Sequence, residues 1–158
     1  MRRKPLDHMQ CSIAKAADVV GDPWSLLIVR DALLGVTRFE DFQRRLEVPR
    51  ATLSARLDHL VETGVLVRNS DAGRSGRSGY LLTAKGRALQ PVIITLMRWG
   101  DEWLRDDEPP TALIERDSGR AIEPVLVDSA TGVPLRDLAV RATGPVTEDL
   151  TRVRPRQQ

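Results

Sequence analysis

The apolar positions of this chain follow a helical period first, then a strand period, then a helical one again. From Cys11 to Val20 they recur at helical spacing and place Ile13, Ala16, Ala17 and Val20 on one side of a first helix. Gly21, Asp22 and Pro23 break the pattern. Asp22 is a good N-cap and Pro23 a good first helical residue, so a second helix starts there. It runs from Trp24 to Leu34, is apolar nearly all round as a core helix should be, and stops at Gly35. Trp24 is expected to face that core. Thr37 or Arg38 opens a third helix, Phe39 to Leu46, and the break Glu47-Val48-Pro49 separates it from a fourth, Arg50 to Thr63. In the fourth, Leu53, Leu57, Leu60 and Val61 bury one face and leave the other free, and Gly64 stands where a helix end wants a left-handed residue.

Strand patterning follows. Val65 to Val67 reads as a strand, Tyr80 to Leu82 as its return, and the loop between them carries Arg74 and Arg77 among Gly73, Ser75, Gly76, Ser78 and Gly79. Helix, turn, helix, strand, loop, strand is the order of a winged helix-turn-helix. A helix that fits a major groove beside a cationic hairpin is a way of holding DNA. Thr83 then caps a long helix from Ala84 to about Leu104. Its stripe of Leu89, Val92, Ile93, Leu96, Met97, Trp99 and Trp103 is wider than a small core can cover. The expectation is a homodimer interface of Leu89, Val92, Ile93, Leu96, Trp99 and Trp103, joined by the first helix.

Past the charged, Pro-containing junction at residues 106–110 the texture changes. Residues 111–116, 122–128 and 138–143 look like short strands, with turns at 117–119 and 129–132. The expected architecture is mainly α with a small β-wing. Residues 1–106 form a winged helix-turn-helix domain that includes the dimerisation helix 84–104. A small β-strand appendage covers 111–144, and 145–158 reads as a disordered tail. No internal repeat is visible.

Charge sharpens the picture. The net charge is only +2, but residues 44–87 carry nine Lys/Arg against four acids, a balance of +5, while residues 101–128 carry nine acids against three Arg, a balance of −6. The basic block coincides with the helix-turn-helix and wing, as a phosphate-contacting surface requires. No run of about 18 apolar residues exists to span a membrane, and the basic start at residues 1–5 is not followed by an apolar signal core, so the expected location is the cytoplasm. One cysteine forms no internal disulfide. His8, His59 and Cys11 are scattered, with no phosphate loop, nucleophile elbow or metal-ligand cluster, so no enzyme, metal or cofactor is expected.

Base edges specify and phosphates position. On the fourth helix Arg50, Ala51, Thr52, Ser54, Ala55, Arg56 and His59 are the DNA-binding candidates. Ala51 and Ala55 can touch thymine methyls, Thr52 and Ser54 can bond bases or phosphates, and Arg50 suits a guanine or a phosphate. Arg56 flanks the buried face, where a salt bridge competes with a DNA contact. Arg74 and Arg77 in the wing and Arg38 at a helix start are phosphate candidates.

Together these residues resemble the HxlR-type winged-helix transcriptional regulators, relatives of the MarR regulators. The matching elements are Cys11, residues 21–30, 34–42, 53–60, 64–68, 80–86, and Trp99 with Gly100, covering roughly residues 11–104. The resemblance implies a homodimer on an inverted repeat of double-stranded DNA, recognition helices in adjacent major grooves, and regulation of a nearby gene. It also implies that a cysteine near the N-terminus senses electrophiles or oxidants in some members, which makes Cys11 the redox-sensing candidate and an oxidant or small molecule the candidate effector. Three departures stand out: Ser12 after the cysteine, Gly79 before Tyr80, and the short Ala51 and Ala55 on the recognition helix.

The resulting expectation is a sequence-specific repressor acting through residues 50–63 and a wing at 70–79. The competing classes are a winged-helix protein-interaction module and a ligand or redox sensor with weak intrinsic DNA binding. Steep salt dependence of DNA affinity separates the regulator from the module.

Overall fold

The computed structural model describes residues 6, 8–69, 79–141 and 143. The chain divides into two units, Met1–Leu96 and Met97–Gln158. The first begins with helices α1 (Ser12–Val20) and α2 (Pro23–Leu33), followed by α3 (Phe39–Leu46) and α4 (Arg50–Glu62). Strands β1 (Leu66–Asn69) and β2 (Gly79–Leu82), the short helix α5 (Ala84–Arg87) and helix α6 (Gln90–Trp103) come next, α6 running across the division.

The core of the first unit is Val20, Ile28, Val29, Phe42, Val48, Leu53, Leu57, Leu60, Val65 and Leu66, and Trp24 packs against it half-buried. The punctuation seen in the sequence does what its chemistry suggests. Asp22 accepts the Ser25 N–H at 3.0 Å and Pro23 opens α2. Gly35 (φ +92°) and Gly64 (φ +72°) take the left-handed conformations that follow α2 and α4. Glu40 and Asp41 in the first turn of α3, and Arg44 and Arg45 in its last, complement the helix dipole.

A charge that the sequence did not single out fixes α3 on α2. The side chain of Asp31 is fully buried. Arg45 of α3 reaches it through Nε at 3.1 Å, and Arg30 through Nη2 at 2.9 Å, both guanidiniums remaining half-exposed.

Strands β1 and β2 pair antiparallel with Leu66 opposite Leu82 and Asn69 opposite Gly79. Leu66 faces the core while Val67 and Leu81 face out. Tyr80 also donates its N–H to the Thr37 carbonyl at 2.8 Å, tying the root of the wing to the segment that enters α3. At the far end of β2, the Thr83 hydroxyl donates to the Gly64 carbonyl at 2.7 Å and accepts the Gly86 N–H at 3.1 Å.

Three expectations are corrected. On α1 the buried residues are Ala14 and Val20, while Ile13 is 80% exposed. Adjacent positions on a helix point about 100° apart, so seating Ala14 turns Ile13 outward. The helix expected from Ala84 to Leu104 is two helices, parted at Ala88–Leu89. Pro91 is the reason: it has no N–H for the Arg87 carbonyl and its ring clashes there, so it is tolerated only in the first turn of a new helix. The three strands expected in 111–143 are not formed as strands. Isolated antiparallel bridges join Ile114 to Ala121 and Val127 to Pro134, with a 3-10 turn at Leu135–Asp137. Each bridge is held by one backbone hydrogen bond on either side, Glu115 N–H to Arg120 and Ile122 N–H to Leu113 for the first, Asp128 N–H to Val133 and Leu135 N–H to Leu126 for the second. Residues 138–141 pair with nothing among the described residues.

The turn at Asp128–Val133 is local. The Asp128 carboxylate accepts from the Thr131 hydroxyl at 2.7 Å and from backbone N–H groups, and these bonds, the Thr131 hydroxyl first, hold its pKa below the ordinary 3.8.

A Cβ at Gly86 would run into the Val65 carbonyl oxygen and come within 2.7 Å of Leu82 Cδ2. Gly86→Ala should therefore lower stability by about 1–3 kcal/mol in urea unfolding, without changing the unfolding slope. Asp31→Ala removes the acceptor shared by two half-exposed guanidiniums and should lower stability by about 1–3 kcal/mol, measured the same way.

Candidate nucleic-acid interface

The candidate interface comprises α3, the turn Glu47-Val48-Pro49, and α4. Glu47 takes a left-handed conformation (φ 50°) that ends α3, and Val48 dips into the core, so the turn is pinned at its centre. On α4, Leu53, Leu57 and Leu60 have no exposed surface. Their burial turns Arg50, Ala51, Ser54 and Ala55 to solvent, with Thr52 half-buried. The first two turns of α4 therefore present a small, lightly polar surface with one cation at its start.

Among the candidates further along α4, two have partners within the fold. Arg56 Nε lies 3.4 Å from Asp22 Oδ1, the carboxylate that also caps α2. His59 Nε2 donates to the Asp18 carbonyl at 3.1 Å, which seats the ring on the end of α1. Both side chains thus help dock α4 on its neighbours.

Other cations of the basic block also have partners within the fold. Arg44 pairs with Asp41 and Arg68 with Asp58. Lys85 donates to the Thr63 carbonyl at 2.7 Å and Arg87 to the Leu82 carbonyl at 2.7 Å. Among the described Lys and Arg of residues 37–87, Arg38 and Arg50 alone have no ion pair or hydrogen bond. Arg38 is the exposed N-cap of α3. Arg50 is the exposed first residue of α4, and its guanidinium carbon lies over the Phe39 ring, 4.7 Å from the centroid. Arg74 and Arg77 lie outside the described residues.

The cation–π partner of Arg50 and the carboxylates of Asp31 and Asp22 that occupy Arg45 and Arg56 were not identified as such from sequence. A pattern of apolar spacing says nothing about which acid meets which base across two helices. The Phe39–Arg50 contact did leave a trace, since each residue opens one helix of the pair.

Along α6, Leu89 (just ahead of the helix) and Ile93 pack on the core of their own chain. Val92, Leu96, Trp99 and Trp103 are exposed. Cys11 is the half-buried N-cap of α1 and makes no side-chain cap bond. Among the described residues no cluster of His, Cys, Asp or Glu is placed to hold a metal, and no helix is long and apolar enough to cross a membrane.

The order and packing of these elements are those of a winged helix-turn-helix domain. A family model described as HxlR-like helix-turn-helix matches residues 19–108. The HTH-type transcriptional regulator Rv3095 of Mycobacterium tuberculosis is 42% identical over 122 residues, covering 77% of each chain. The crystal structure of PA1607, a candidate transcription factor, is 40% identical and superposes with a TM-score of 0.76 over 87% of this chain and 98% of that one. The redox regulator HypR in its oxidised form is 26% identical over 61% of this chain and all of that one, with a TM-score of 0.55. The chain belongs to the HxlR-like helix-turn-helix family of transcriptional regulators.

Proposed function

We propose that this regulator is a repressor that binds an inverted-repeat operator as a homodimer. Each α4 enters a major groove through Arg50, Ala51, Thr52, Ser54 and Ala55. Each wing, residues 70–79, follows the flanking backbone with Arg74 and Arg77, and Arg38 takes a further phosphate. The observation that carries the reading is the outward face of α4: two turns of small side chains able to approach base edges, headed by an arginine with no ionic partner. Occupying such a site near a promoter excludes polymerase, which is repression by occlusion. The working location is the cytoplasm, where the chromosome is reached without crossing a membrane.

The dimer is supported by α6. Val92, Leu96, Trp99 and Trp103 are spaced four, three and four residues apart, the seam of a helix paired with another helix. Trp103 is 67% exposed, and covering one such ring contributes on the order of 2 kcal/mol. Ile13 on α1 offers further apolar surface. Residues 1–106 are assigned as the DNA-binding and dimerising portion, and 111–144 as an appendage to it.

A second reading, in which a thiol gates DNA binding, draws on the likeness to HypR and on Cys11 at the head of α1. Oxidation that leaves the selected DNA bound as tightly as before would count against it.

The decisive experiment is selection of duplexes from a random-sequence library by the purified protein at about 150 mM salt. The expected product is an inverted repeat with half-sites about one helical turn apart, and enrichment of single half-sites would argue against a symmetric dimer. Arg50→Ala should weaken binding to the selected duplex roughly fivefold to a hundredfold, read by fluorescence anisotropy. Trp103→Glu should halve the mass seen by light scattering, and an unchanged mass would remove α6 from the interface.

A further inference from the structure

We propose that Phe39 is the positioning residue for Arg50: its ring holds the guanidinium at the head of α4 as a fixed two-pronged donor toward DNA. The inference rests on the reading of α4 as the DNA-contacting helix. The contact crosses the helix-turn-helix, because Phe39 is the first residue of α3 and Arg50 the first of α4. The guanidinium carbon lies 4.7 Å from the ring centroid.

The two partners are unequal in freedom. Phe39 is half-buried against the core, so its ring is anchored, whereas Arg50 is exposed and without the ring would be free to swing. The geometry leaves the useful donors open. A guanidinium laid flat on a ring would give up one face only, and its N–H groups, which lie in its plane, would point away from that face. Arg50 is one of only two described cations in residues 37–87 with no hydrogen bond or ion pair, so those in-plane donors are unspent. They suit two acceptors side by side, as on the O6/N7 edge of guanine or on a phosphate.

Helix energetics give no other reason for the residue. A cation in the first turn sits at the positive end of the helix dipole, which disfavours it slightly. Holding the side chain against Phe39 before DNA arrives also lowers the rotamer entropy that binding would otherwise remove.

The test is a double-mutant cycle on the duplex that the wild type selects from a random-sequence library. Phe39→Leu keeps an apolar side chain and removes the π face. It should weaken binding about two- to fivefold, while Phe39→Tyr should stay close to wild type. In the Arg50→Ala background Phe39→Leu should have no further effect. An equal loss in that background, or no loss in either, would overturn the positioning role and leave the α4 reading standing. Unchanged affinity on Arg50→Ala, with wild type still binding, would overturn both at this residue. A readout independent of affinity is the Arg50 Nε–H resonance of free protein. Ring current should shift it upfield, and Phe39→Leu should return it; an unshifted resonance in wild type would overturn the stack itself. The two acceptor types separate in the same data, both supporting the role. A guanine contact relaxes preference at one base pair for both variants, whereas a phosphate contact lowers affinity for every sequence and reduces the salt slope by about 1.

Discussion

The carboxylate of Asp31 has no exposed surface, and the geometry of the DNA-binding half turns on how that charge is held. A buried charge without partners costs several kcal/mol, so the fold is constrained to arrangements that keep Arg45 and Arg30 beside it. Arg45 belongs to α3. If α3 rotated or slid by one residue, Asp31 would lose the guanidinium that ties it to that helix. The Asp31 main chain adds a second tie, its carbonyl accepting the Leu34 and Val36 N–H groups at 3.1 and 3.0 Å as the chain leaves α2. With α3 fixed, Val48 fixes the turn, and the turn fixes where α4 begins. The direction in which Arg50 is presented is in this sense set by a carboxylate on α2.

The backbone plan was legible in the sequence because it rests on local chemistry. The leucine spacing of α4, Asp22-Pro23 at the head of α2, and the glycines at 35 and 64 each act within a few residues, and each does so in the structure. Misreadings arose where a signal of that kind was outweighed. The apolar stripe from Leu89 to Trp103 drew attention away from Pro91, although one missing N–H is enough to divide the helix. In residues 111–143 short segments set between turn residues suggested strands, and the pairing amounts to two isolated bridges. Helical spacing grouped Ile13 with Val20 on one side of α1, yet Ala14 is the residue buried beside Val20 and Ile13 is exposed.

Charge shows the limit most clearly. Nine Lys and Arg in residues 44–87 looked like an open cationic face. Four of them are matched to Asp41, Asp31, Asp22 and Asp58, and two donate to backbone carbonyls. The summed field of the block still attracts a polyanion at long range. At contact distance, however, a paired guanidinium is held beside its acid and is less free to turn toward a phosphate. Which cations are paired depends on how helices cross, and sequence periodicity does not encode that.

The pairing divides α4 into two parts. Its C-terminal half, with Arg56 on Asp22 and His59 on the end of α1, is tied to the body of the domain. Its N-terminal half has buried leucines beneath, and above them only small side chains and one stacked arginine. A recognition element gains discrimination when its support is rigid, because a wrong base pair then cannot be accommodated by tilting the helix. Here the rigid end and the presenting end lie on one continuous helix. The contacts that look like lost DNA ligands are what would hold the remaining ones in register.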